Sequence, residues 1–116
     1  MHAASSRLGG LAAYLTNPEH ELFLSAASSW EIAIKSNLGK LRLPEGASDY
    51  VKSRMADGGV TGLPIEHVHA LFVDRLPRHH RDPFDRLLVA QAELEDLSLA
   101  TADPIFGWYT DRIISP

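Results

Sequence analysis

The sequence contains no cysteine, no excess of basic residues and no long hydrophobic run, and each absence narrows the possible functions. Without cysteine there is no disulfide framework, thiolate zinc site or cysteine nucleophile, so carboxylates or histidines would have to hold any metal ion. A formal net charge of −4 argues against nucleic-acid binding through overall charge, although a local basic patch stays open. No apolar run approaches the roughly 20 residues of a membrane-spanning helix, and residues 1–15 lack a convincing signal-peptide cleavage site. We therefore expect a cytoplasmic protein with no membrane partner.

The composition is that of an ordinary globular domain. Hydrophobic residues make up 45% and charged residues 22% of the 116 residues, close to the averages for folded domains. A chain of this length fits one domain and is too short for two. We predict a single domain over residues 1–116.

Short apolar runs alternate with segments of helical periodicity. Helical spacing predicts helices over residues 8–15, 28–38, 48–58, 66–76 and 82–94, and apolar runs predict strands over 21–25, 60–64, 97–101 and 112–115. Trp30 is counted among the apolar residues of the second helix, and Asp82-Pro83 forms an N-cap followed by proline at the first helical position. This alternation predicts a three-layer α/β/α sandwich with a mainly parallel sheet, in which ligands bind beyond the carboxyl ends of the strands.

Three acidic residues fall near that predicted edge of the sheet: Glu31, Asp85 and Asp103. Each has a structural alternative, since an acid early in a helix is favoured by the helix dipole or by capping. Three carboxylates held together would repel one another unless a cation neutralised them, and an all-oxygen site suits Mg²⁺ or Mn²⁺. A metal-dependent hydrolase of phosphodiester bonds is therefore one hypothesis.

A basic stretch lies beside these acids in a chain that is otherwise acidic. It contains Arg75, Arg78, His79, His80, Arg81 and Arg86. The alternative is a solvated loop, but next to an acidic metal site arginines could hold the phosphates of a polyanion. We predict RNA contacts by Arg78, Arg81 and Arg86. His67 and His69, two residues apart on a predicted helix, are interpreted as surface residues.

Four segments of the chain carry recognisable motifs: residues 23–35 (FLSAASSWEIAIK), 39–41 (GKL), 79–92 (HHRDPFDRLLVAQA) and 101–103 (TAD). Together they resemble the PIN-domain family, in particular the VapC-type toxins of toxin–antitoxin systems. The resemblance covers essentially the whole chain, and the motifs in series are far more specific than any one of them.

The resemblance implies a ribonuclease that depends on Mg²⁺ or Mn²⁺ and is usually dimeric and inhibited by a VapB-like antitoxin. Residue by residue, Glu31, Asp85 and Asp103 match the family's acidic metal-site positions. Asp82 is expected to support the site mainly by capping its helix, and Thr101 to contribute a hydroxyl behind the ligands.

One departure from the family concerns the start of the chain. The family usually opens with an apolar strand that ends in the first catalytic aspartate and lies at the centre of the sheet, and this chain has no such strand ahead of the helix predicted from Leu8. We therefore expect a sheet without its first, central strand and a chain with little ribonuclease activity. The alternative function is an inactive PIN remnant that binds an antitoxin or RNA; a third is a fold retained for dimerisation.

Overall fold

The computed structural model describes residues 13–77, 82–101, 110 and 112–114. Within these residues the strands are β1 (Tyr14–Thr16), β2 (Leu22–Ser25), β3 (Val60–Leu63), β4 (Ser98–Ala100) and β5 (Ile113–Ile114). The helices are α1 (Ala26–Asn37), α2 (Ala47–Gly58), α3 (His67–Phe72) and α4 (Pro83–Glu95), and a 3-10 turn (Val73–Arg75) follows α3. None of these described helices is long and apolar enough to cross a membrane.

The described strands form one five-stranded sheet in the order β3-β2-β1-β4-β5. Strand β2 is parallel to β3 and β4 is parallel to β5, whereas β1 is antiparallel to both of its neighbours. It follows that β2, β3, β4 and β5 all run in one direction and that β1 alone is reversed. The predicted α/β sandwich with a mainly parallel sheet is confirmed, with one reversed strand at its centre.

Strand β1 corrects two predictions about the start of the chain. Residues predicted to end a helix, Tyr14 and Leu15, are extended instead, and they occupy the central position that we expected to be empty. Both side chains are buried, on opposite faces of the sheet, as alternating strand residues must be. Pairing on both sides gives β2 and β4 hydrogen-bond partners that they would otherwise lack, and this outweighs the local helical spacing.

Two hydrophobic clusters lie on the two faces of the sheet. Leu15 and Leu99 pack with residues of α4 on one face, while Tyr14 and Leu24 pack with residues of α1 and α2 on the other. Helix α4 contributes its most deeply buried residues, including Val89, to the first cluster. The sheet is therefore sandwiched between helices, which is the three-layer arrangement that the sequence predicted.

The helix ends follow their local sequence signals. Ser25 caps α1 by accepting a hydrogen bond from the backbone N–H of Ala27 at 3.0 Å, so the helix begins two residues before its predicted start. Helix α2 ends at Gly59, whose φ of 64° is a left-handed conformation that glycine adopts at little cost. These caps fix where α1 and α2 begin and end relative to β2 and β3.

His69 is buried, and the prediction that it lies on the surface is wrong. Its side chain is only 1% exposed. Nδ1 accepts a hydrogen bond from the backbone N–H of Glu66 at 2.9 Å, and Nε2 lies 2.8 Å from a carboxylate oxygen of Glu95. His67 is exposed, as predicted. No local sequence signal distinguishes the two histidines, because the burial of His69 depends on α3 packing against the end of α4.

A polar cluster holds the segment before β5 against the end of α4. Arg112 donates from Nη1 to Asp96 at 2.6 Å and from Nε to Glu93 at 3.3 Å. The hydroxyl of Thr110 donates to the other carboxylate oxygen of Glu93 at 2.6 Å. The hydrogen bond to Asp96, assisted by Glu93, raises the pKa of Arg112, so the guanidinium stays charged throughout the usual pH range. This cluster secures β5 beside β4.

Candidate active site

The carboxyl ends of four strands define the edge of the sheet where a site is expected. Helix α1 begins directly after β2, so its N-terminal end lies at this edge. Helix α4 has 13 residues and connects through a two-residue turn to the start of β4 at the opposite edge. It therefore runs against the strand direction, and its N-terminal end also reaches the carboxyl edge. The tertiary structure thus brings the early parts of α1 and α4 to the same place.

Glu31 lies in the second turn of α1, near the N-terminal end of the helix. Its carboxylate is 21% exposed and forms an ion pair with Lys35, one turn further on, at 3.0 Å. Lys35 is itself 45% exposed, so solvent weakens the pair. The pair neutralises Glu31 locally, and a metal ion binding at this carboxylate would compete with the ammonium group of Lys35.

Asp82 and Asp85 open α4. The Oδ1 atom of Asp82 accepts hydrogen bonds from the backbone N–H groups of Phe84 at 2.9 Å and Asp85 at 3.4 Å, and Pro83 occupies the first helical position. Asp82 is therefore the N-cap, as the sequence predicts. Asp85 lies in the first turn and is half-buried, and the cap beneath it fixes its backbone. Asp82 therefore has the capping role, and metal binding by Asp85 stays a prediction.

An aromatic pair joins the two helices beside these acids. The rings of Trp30 and Phe84 meet edge to face, with centroids 5.1 Å apart and planes at 75°. Trp30 precedes Glu31 on α1, and Phe84 precedes Asp85 on α4. The contact therefore establishes that the two acid-bearing turns are neighbours. Trp30, which the sequence counts among the apolar residues of its helix, has a side chain that is 58% exposed.

Arg86 has a structural role that the sequence did not indicate. Its Nη1 atom donates to the carbonyl of Pro77 at 2.9 Å, and Nη2 donates to the carbonyl of Val73 at 2.7 Å. These bonds connect the first turn of α4 to the start of the 3-10 turn and to Pro77, the residue before Arg78. Direct RNA contact by Arg86 stays a prediction.

Part of the predicted site lies outside the described residues. Asp103, Arg78, Arg81 and the paired histidines before it belong to that part. Thr101 is described: it follows β4 directly at the carboxyl edge and is half-buried. Among the residues that the structure describes, no three acidic or histidine side chains converge on one point. The predicted cluster is thus represented here by Glu31 and Asp85 alone.

The two described carboxylates fit a hard divalent cation. Both supply oxygen ligands, which Mg²⁺ and Mn²⁺ prefer, and both stand near helix N-terminal ends at one edge of the sheet.

An open cavity of about 350 Å³ lies at the carboxyl ends of β2 and β3, with Ser29, Met55 and Leu63 in its wall. Sequence reasoning missed this cavity, because elements far apart in the chain form it.

Comparison with known proteins identifies the class to which this fold and site belong. Residues 3–108 match the PIN domain family, and the chain is therefore a member of that family. Over 57 residues the chain is 44% identical to Ribonuclease VapC16 of Mycobacterium tuberculosis (strain ATCC 25618 / H37Rv). This match covers 49% of the chain and 40% of the relative, so the aligned part spans less than half of that protein. The resemblance to VapC-type PIN domains is confirmed, and no solved structure matches the chain.

Proposed function

We propose that the protein is a divalent-metal-dependent endoribonuclease, the VapC-like toxin component of a toxin–antitoxin system. The observation that carries the proposal is the contact between Trp30 and Phe84, which makes the turns that bear Glu31 and Asp85 neighbours in a member of the PIN-domain family. The name of the relative, a ribonuclease, supports RNA as the substrate. Hydrolysis of a phosphodiester bond needs neutralisation of phosphate charge, and two carboxylates alone would repel the substrate.

The proposed roles follow from where each residue stands. Glu31, Asp85 and Asp103 hold Mg²⁺ or Mn²⁺, with Thr101 beside them at the end of β4 and Asp82 as the supporting cap. When bound, such an ion neutralises phosphate charge and activates water for attack on phosphorus.

The basic stretch serves the substrate in this proposal. Arg78 and Arg81 hold RNA phosphates on either side of the reacting one, which guanidinium groups do bidentately. Arg86 keeps the stretch in place through its bonds to Pro77 and Val73. Its own contact with phosphate is also part of the proposal.

The partners follow from the similarity to VapC proteins. We propose that a VapB-like antitoxin inhibits the enzyme and that a homodimer is the working form. We also propose the cytoplasm as the location, because RNA is found there and a chain without cysteine fits a reducing compartment. Mixing with a candidate antitoxin and measuring mass by light scattering would test the first two proposals together.

A second candidate function is a binding module without cleavage. One observation favours it. Because β1 is reversed, its N-terminal end, near Ala13 and Tyr14, lies at the edge where the other strands have their carboxyl ends. Among the described residues the central strand therefore brings no carboxylate to the site. A site with one ligand fewer would hold its ion more loosely and orient water less well.

The test is cleavage of a mixed RNA pool in the presence of Mn²⁺. We expect weak cleavage by the unchanged chain, because its central strand brings no aspartate to the site. Asp85→Asn and Glu31→Gln should each reduce that cleavage further, by at least about 100-fold, because each removes a negatively charged ligand. Asp57→Asn, which changes an exposed acid on α2, is the matched control and should cleave normally.

The two candidate functions give different results in this assay. RNA binding without cleavage by the unchanged chain would favour the binding module. Cleavage that survives Asp85→Asn would contradict the proposed site. Calorimetric titration with Mn²⁺ alone checks the metal site separately, since both site variants should weaken binding of the ion and Asp57→Asn should not.

A further inference from the structure

An exposed tryptophan is the surface feature that the proposed roles leave unused. Trp30 is 58% exposed, although Ile32, two residues further along the same helix, is buried. We propose that Trp30 is a stacking platform for an unstacked RNA base beside the scissile phosphate, with Phe84 holding the indole in place. This inference rests on the proposed ribonuclease function and adds a base-recognition subsite to it.

Phe84 limits the movement of the indole. Its ring meets Trp30 edge to face at 5.1 Å, a favourable geometry for aromatic pairs. Its own backbone N–H is bonded to the cap residue Asp82 at 2.9 Å. The indole is therefore braced by a residue in the fixed first turn of α4, while more than half of its surface stays accessible. A platform that is ordered before binding loses little conformational entropy when a base stacks on it.

The neighbours of Trp30 leave room for a flat ligand. Of the four positions one turn away on α1, Ala26 and Ala33 are exposed and small, Ala27 is buried, and Ile34 is half-buried. The exposed neighbours of the indole along the helix are therefore two alanines, which add little apolar surface beside it. A protein partner would find a broader apolar surface elsewhere, where Leu71 and Val68 line an open groove with Leu94. The shape of the surface around Trp30 thus favours a planar base over a protein segment.

The position of the pair relative to the acids points to the same ligand. Trp30 precedes Glu31, and Phe84 precedes Asp85, so the aromatic pair and the two carboxylates occupy the same two helical turns. A phosphate held at these carboxylates through a cation brings its attached nucleosides within reach of the pair. Single-stranded RNA is commonly recognised by stacking of splayed bases on aromatic side chains, and every base can stack in this way.

The test measures binding of a short single-stranded oligoribonucleotide to the full chain in the presence of Mg²⁺. All proteins carry Asp85→Asn, which prevents cleavage, and Trp108→Phe, which leaves Trp30 as the sole tryptophan. We expect the oligonucleotide to quench Trp30 fluorescence. We expect Trp30→Ala and Trp30→Leu to bind it roughly 5- to 100-fold more weakly by anisotropy, while Trp30→Phe retains most of the affinity. Leu71→Ala, at an exposed apolar residue of α3, is the matched control and should bind as the parent does.

The same oligonucleotide without bases distinguishes stacking from other effects. The parent should bind it more weakly than the intact oligonucleotide, and Trp30→Ala should bind the two equally, since only the parent has a platform to lose. Trp30→Leu keeps an apolar side chain against Phe84, and circular dichroism with urea unfolding should show that it folds as the parent does.

Three other results would contradict the stacking platform, and one of them would also contradict the proposed ribonuclease function. If the parent binds RNA and Trp30→Leu binds it equally well, the platform is wrong and the proposed ribonuclease stands. If Trp30→Leu leaves RNA binding intact but weakens binding of an antitoxin, the indole serves a protein partner and the platform is again wrong. If the chain with Asp85 restored also binds no RNA in the presence of Mg²⁺, the platform and the proposed function both fail.

Discussion

Strand β1 offers the sharpest test of the fold, because its two central residues are buried on opposite faces of the sheet. Tyr14 is 1% exposed and Leu15 is 0% exposed, and each belongs to a different hydrophobic cluster. If the same residues formed a helix, Leu15 would be buried with the other apolar residues of that helix, and Tyr14 would lie on another side of the helix. We therefore expect both Tyr14→Ala and Leu15→Ala to destabilise the protein strongly.

The magnitude follows from complete burial. Leu15→Ala removes a fully buried side chain from a packed cluster and should cost about 2–5 kcal/mol of unfolding free energy, the lost transfer free energy plus a cavity. Tyr14→Ala removes a larger ring and should cost about 3–5 kcal/mol. For a domain of this size, each kcal/mol corresponds to a fall in Tm of about 4 °C, so each variant should melt more than about 8 °C below the parent.

The assay is urea unfolding followed by far-ultraviolet circular dichroism, with thermal melting as a second measurement. Leu71→Ala is the control, because that leucine is 74% exposed, and it should change the unfolding free energy by less than about 0.5 kcal/mol. A cost above about 2 kcal/mol for Leu15→Ala together with less than about 0.5 kcal/mol for Tyr14→Ala would refute the reasoning, since it would show burial on one face only.

Three further predictions concern single side chains. Lys35→Gln should tighten Mn²⁺ binding about 1.5- to 5-fold in a calorimetric titration, because it removes the ammonium that competes for Glu31; unchanged affinity would show that the ion does not use this carboxylate. Arg86→Gln should lower the unfolding free energy by about 2 kcal/mol, since two backbone carbonyls lose a charged donor, and urea unfolding with no change in midpoint would contradict this role. His69→Leu should lower the unfolding free energy by about 2 kcal/mol in the same assay, because it breaks the hydrogen bonds to the helix cap Glu66 and to Glu95. Glu95→Gln keeps an acceptor for His69 and should lower the unfolding free energy by less than about 1 kcal/mol.

Local signals predicted the elements of the fold well. The cap at Asp82 and the proline after it placed the start of α4 correctly, whereas α1 begins two residues before its predicted start. Strands β2 and β4 were visible as short apolar runs between helices. These features are encoded within a few neighbouring residues, so the sequence alone reveals them.

Features that depend on distant contacts were not predicted. His69 is buried because α3 packs on the end of α4, and Arg86 is held by carbonyls of a segment about ten residues earlier. Trp30 is exposed although it is one of the apolar residues of its helix, because hydrophobicity alone does not say which side faces the core. Each of these properties is set by a neighbour that lies far away in the sequence.

The sequence by itself determined the family, the acids of the candidate site and the direction of most strands. Glu31 and Asp85 are recognisable from their motifs, and the alternation of helices and strands predicts that they meet at one edge. Only the tertiary structure decided which residues fill the centre of the sheet. Tyr14 and Leu15 follow a helical pattern of apolar residues. In the extended conformation, however, their backbone pairs with β2 and β4, and their side chains are buried in two hydrophobic clusters. Backbone pairing on both sides, together with burial on both faces, outweighs a helix propensity worth only tenths of a kcal/mol per residue.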